Sequence, residues 1–189
     1  MKRGFILLFC SALTALSFSA LADDGDKLPF FSHADAKAAI SRALGALQNV
    51  KCGKENCVPA TPEEYASPPV DQDDARFALL TGAKSAQLRW CGLEWEDRAY
   101  PTMMQEFQQK GINNARALTI LRLIHAEQFS KLFANLQVLK TCSEETRKKL
   151  DAQYPKLELP PWQGIVNNAM LDQSVADMIL RVLGEIDRF

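Results

Sequence analysis

Two side chains in this chain have the type and position for acid–base work, His125 and Glu94. His125 sits four residues from Leu121 and four from Phe129, on an apolar stripe with helical spacing. An imidazole titrates near neutral pH, so His125 in a pocket is a candidate general base or ligand. The competing assignment is a core histidine bonded to a carbonyl or a carboxylate. Glu94 is the carboxylate that would serve beside it. Glu94 and Asp97, three apart, have the residue types of a glycosidase pair, although carboxylates on an exposed helix face are ordinarily solvated. Glu94 and Arg98, four apart, are expected to pair along one helix face. Trp90, Trp95 and Tyr100 flank this charged burst and are the candidate binding residues, as the wall of a peptide or sugar groove. His33, the other histidine of the mature chain, falls at a helix start and reads as exposed.

Other chemistry is argued against. His125 and Glu127 are two apart and face different ways, so they do not form a helical metal pair. No Gly-x-Ser-x-Gly, phosphate loop or dinucleotide fingerprint occurs. No metal and no cofactor is expected, and the lack of catalytic signatures favours a protein that is not an enzyme.

The cysteines point to a compartment. The chain has 189 residues and five cysteines. Lys2 and Arg3, an apolar run to Phe18 and Ala20-Leu21-Ala22 have the form of a secretory leader, so residues 1–22 are expected to be cleaved. Cys10 leaves with them. The remaining 167 residues, 23–189, form one helical domain with Cys52, Cys57, Cys91 and Cys142. An even count in an exported chain implies two disulfides. Three pairings are open to four cysteines. The turn-like Gly53-Lys54-Glu55-Asn56 favours Cys52 with Cys57, leaving Cys91 with Cys142. Cleavage also shifts the balance to 20 Lys+Arg against 23 Asp+Glu, a poor surface for nucleic acid. No second apolar run is long enough to span a bilayer.

These residues need elements to hold them. Ser32 caps a helix over 33–49 rich in alanine. Residues 50–71 carry two cysteines and four prolines, and read as an ordered loop pinned by its own disulfide, with a turn of helix at 62–66. Asp71, Asp73 and Asp74 open a helix with Phe77, Leu80, Leu88, Cys91 and Trp95 on one stripe, breaking near Tyr100 before Pro101. A segment at 102–110 ends at Gly111. Asn113 caps the most apolar helix, 114–139, the candidate centre of the fold; Ser143 caps a short one at 144–153. Further helices open at Pro161 and Asp172. The fold class is all-α, an irregular bundle of five to six helices stapled by two disulfides.

At Cys91-Gly92-Leu93-Glu94-Trp95, followed by Cys142-Ser143-Glu144, the chain resembles small periplasmic helical proteins of proteobacteria whose function is uncharacterised. The resemblance covers about residues 75–150 and implies a helix carrying Cys-Gly-Leu-x-Trp. More loosely the chain is similar to periplasmic immunity proteins against type VI secreted amidases. The expectation is a periplasmic or secreted, non-enzymatic domain that binds an envelope protein through 50–71 and the Trp90, Trp95 and Tyr100 patch. The alternatives are an immunity protein against a cell-wall amidase toxin and an envelope hydrolase using His125 with Glu94.

Overall fold

A computed structural model describes residues 30–139 and 141–157. The expected leader, most of the arm before Phe31 and the helices expected from Pro161 and Asp172 lie outside these residues. Among the described residues there are six α-helices and one two-stranded hairpin, so the fold is all-α with two disulfides, Cys52–Cys57 and Cys91–Cys142.

Helix α1, His33–Ala46, starts where the Ser32 and Asp35 side chains cap each other's backbone N–H groups. Lys51–Cys52 and Glu55–Asn56 then form strands β1 and β2 of an antiparallel hairpin, with the left-handed conformation of the turn supplied by Gly53. Helix α2, Pro62–Ala66, has a second reciprocal cap from Thr61 and Glu64. Residues 50–71 are therefore an ordered, stapled segment with its turn of helix at the expected place.

Helix α3, Gln72–Trp90, begins at Asp71, whose carboxylate accepts from the Asp74 N–H at 2.7 Å. It does not run on to Tyr100. It stops at Cys91-Gly92, where Gly92 has φ +72°. The Gly92 N–H donates to the Arg89 carbonyl and the Leu93 N–H to the Leu88 carbonyl. This is the two-bond stop made by a left-handed glycine after a helix. A 3₁₀ turn at Trp95–Asp97 leads into α4, Ala99–Gln109. Pro101 lies in the first turn of α4, where its missing N–H would have no helical partner anyway. The proline thus starts a helix, and the glycine ends one. The Cys-Gly-Leu-x-Trp stretch is a helix end and a turn, not a helix.

Gly111 closes α4 with the same pair of bonds. Helix α5, Ala115–Gln137, is capped by Asn114, one residue beyond the expected Asn113. Helix α6, Glu144–Gln153, is capped by Ser143 as expected. Lys110 at the end of α4 pairs with buried Asp74 at the start of α3, and Cys142 beyond α5 joins Cys91 beyond α3. α3 and α5 therefore run in the same direction, with α4 returning between their ends.

The core lies between α3 and α5, with α1 and α4 against them. α3 contributes small buried residues, Ala75, Ala78, Gly82 and Ala86, and α5 contributes Ile120, Leu121, Ile124 and Phe129. A Cβ built on Gly82 would stand 2.5 Å from the His125 carbonyl oxygen and 3.1 Å from the Gln128 Cβ. Only glycine admits the backbone of α5 that closely. Phe77 and Leu80 of the expected stripe are only partly buried, as are Leu132 and Phe133, and Leu139 is exposed. Phe77 packs edge-to-face on Phe107 of α4 at 5.8 Å, away from the close approach at Gly82. α3 shares the centre with α5.

Candidate functional site

His125 is brought by α5 to the tightest part of this interface and is 2 % exposed. Its Nε2 lies 3.0 Å from the Ser85 hydroxyl oxygen of α3, itself completely buried. Around the ring stand Trp95 and Tyr100, with centroids at 5.6 and 5.2 Å, and Phe129, stacked at 6.5 Å. Burial among apolar and aromatic groups pushes the imidazole down to a pKa of about 3. It is neutral at pH 7, a structural hydrogen-bonding group rather than a proton acceptor for a solute. Its partner is a serine hydroxyl, where the sequence suggested a carbonyl or carboxylate.

Glu94 does not share this environment. It is well exposed and pairs with Lys156, which holds its carboxyl below the usual range. The expected Glu94–Arg98 pair does not form, because the two residues are not on one helix. Arg98 turns inward, donates to the Tyr154 carbonyl and pairs with Asp151 at 2.8 Å. Trp95 and Tyr100 are corrected from a surface patch to core residues, packed edge-to-face at 5.8 Å, and burial pushes the Tyr100 hydroxyl up. Trp90 is half-buried against the same core. The 3₁₀ turn after Gly92 folds these rings back onto α5.

The other candidate surface is built differently. Val58 is 69 % exposed and Tyr65 47 % exposed, the first just beyond the hairpin and the second on α2. The segment carrying them is fixed to α5 by Arg116. That guanidinium meets Glu64 twice, at 2.6 and 2.7 Å, and donates to the Val58 carbonyl at 2.7 Å. The ion pair holds the Glu64 carboxyl below its usual range and raises Arg116. Thr119 of α5 donates to the Lys51 carbonyl at 3.3 Å, and Tyr65 reaches back towards Gly45 of α1. An apolar pair is thus displayed on an immobilised support. Arg116 and Ser85 carried no signal in the sequence, and Arg98 signalled only a pair with Glu94. Each matters through a partner at least 40 residues away.

Among the described residues no group of three or more His, Cys, Asp or Glu is placed to hold a metal ion, and no helix is long and apolar enough to cross a membrane. Comparison with protein-family models, with curated proteins and with solved structures finds no match to this chain.

Proposed function

We propose that this chain is an exported, non-enzymatic binding domain of the periplasm, which presents residues 58–65 to an envelope protein partner. The observation that carries this reading is the exposure of Val58 and Tyr65 on a segment immobilised by Arg116, Glu64 and the Cys52–Cys57 bond. A loop already ordered in the free protein loses little entropy on association, and an exposed aromatic and an exposed aliphatic side chain on the same segment supply apolar anchors. The two disulfides support an oxidising compartment. The sealed, neutral His125 and the distinct partner of Glu94 weigh against an envelope hydrolase built on that pair. An immunity protein against a cell-wall amidase toxin is the form of this reading favoured by the closed, largely exposed hairpin at 51–56, a shape suited to entering an active-site cleft.

The test is photo-crosslinking from position 58 in the native host, followed by binding measurements with the purified captured protein. Val58→Asp with Tyr65→Ser should weaken that binding at least about ten-fold, the ordinary yield of removing one anchor. Val138→Asp, at a still more exposed site beyond α5, should not. Equal loss in both variants, or no loss in either, overturns the reading.

A further inference from the structure

Residues 143–157 are held by an arrangement that differs from the rest of the described residues. α6 buries one apolar side chain, Leu150, and is otherwise polar. Its attachment is made at its two ends. Before its first turn, Cys142 is bonded to Cys91. At its last turn, Arg98, only 7 % exposed, takes Asp151 and the Tyr154 carbonyl as partners, while its buried Nε has none. Further on, the Leu157 N–H donates to the Asp97 carbonyl at 2.9 Å, Lys156 pairs with Glu94, and the Tyr154 ring covers the Lys84 amine at 5.4 Å.

We propose that residues 143–157 form a latch kept shut by the Cys91–Cys142 bond, and that reduction of this bond releases the latch and uncovers Arg98 and Lys84. Apart from those of Arg98, the polar contacts here are exposed and exchange readily for water, and Leu150 with the half-buried Tyr154 is a small apolar anchor for residues 143–157. α3 and α5 each keep their own buried faces and do not depend on the bond to stay docked. The incomplete hydrogen bonding of Arg98 shows that closure leaves a buried cation short of partners, which favours opening once the tether is cut. The freed guanidinium would suit a carboxylate, the group it holds when closed.

The chemistry is thiol–disulfide exchange with a dithiol reductant. Cys142 is the half-exposed cysteine and Cys91 the buried one. A reductant thiolate attacks the Cys142 sulfur, the sulfur–sulfur bond breaks, and Cys91 departs as a thiolate that takes up a proton. The second reductant thiol resolves the mixed disulfide, leaving Cys142 as a thiol. Two electrons pass to the protein, and the reductant ends as a disulfide.

Hydrogen exchange followed by mass spectrometry tests this in a Cys52→Ser, Cys57→Ser variant, which retains only the relevant bond. Treatment with a phosphine reductant should bring exchange across 143–157 close to the rate of an unfolded chain, while amides of α3 and α5, faster only by the fall in global stability, stay protected at least about a hundred-fold more, the pattern of local opening. A Cys91→Ser, Cys142→Ser variant should show the reduced pattern without reductant. The wild-type protein, reduced at both bonds, provides the same readout should either variant fail to fold. Retained protection over 143–157, or protection over α3 and α5 that falls to the level of 143–157, overturns the proposal.

Discussion

The two stapled segments of this molecule are similar in composition and opposite in construction. Residues 50–66 and 141–157 each bury few apolar side chains, and each carries a disulfide cysteine and is held to the helical core by an arginine. In the first, the disulfide spans a sequence separation of 5 and only shapes a hairpin. The hold on the core there is Arg116 with Glu64. In the second, the disulfide spans 51 and is itself the tether, with Arg98 and Asp151 as a supplement. A local crosslink pre-forms a surface, whereas a distant one fastens an element that has little apolar area of its own.

The largest expected effect separates the two bonds. Cys91→Ser with Cys142→Ser should lower stability by about 4 kcal/mol, and Cys52→Ser with Cys57→Ser by about 2 kcal/mol, from the loop lengths in the chain-entropy model. Calorimetric melting checks both. Equal losses would remove the distinction between tether and brace.

Acid should act on the core that both segments share before it acts on either alone. His125 has its folded pKa lowered to about 3 from 6.5. The unfolded chain therefore binds a proton that the folded one refuses. Stability is complete above pH 6.5 and declines as pH falls towards 3, by about 1.4 kcal/mol per pH unit. Glu64, also lowered from 4.5, adds its loss only below that value, as protonation weakens its pair with Arg116. Urea unfolding at stepped pH should show His125→Gln flattening the decline between pH 6.5 and 4.5 and leaving, below pH 4.5, a shallower decline that comes from the carboxylates. A decline unchanged in that variant would refute the assignment to His125.

The smallest effect concerns the first segment alone. Arg116→Met should cost about 1–2 kcal/mol, the range for hydrogen bonds to charged groups with some solvent screening. It should raise hydrogen exchange over 58–66 and leave 143–157 unaltered. Loosening of both segments would mean that they are coupled through α5.

Much of the framework was legible because it depends on neighbours in sequence. The caps at Ser32, Asp71 and Ser143, the stop at Gly111 and the short helix at 62–66 are local hydrogen-bonding devices, and each lies where its residue types put it. The expected break at Pro101 failed because proline is compatible with a first helical turn, while Gly92 looked unremarkable without the φ it adopts. That displacement turned the expected aromatic groove inward and dissolved the Glu94–Arg98 pair.

What the sequence determined by itself was the all-helical class, the alternation of capped helices with proline-rich connections and the favoured disulfide pairing, since periodicity, capping and turn chemistry operate over a few residues. Tertiary structure alone decided that His125 is a neutral core group beside Ser85, that Trp95 and Tyr100 are packed against it, and that Arg98 and Arg116 each hold down a remote segment. Burial and long-range charge pairing depend on which helix faces meet. In this fold the tight meeting at Gly82 is a large part of that answer.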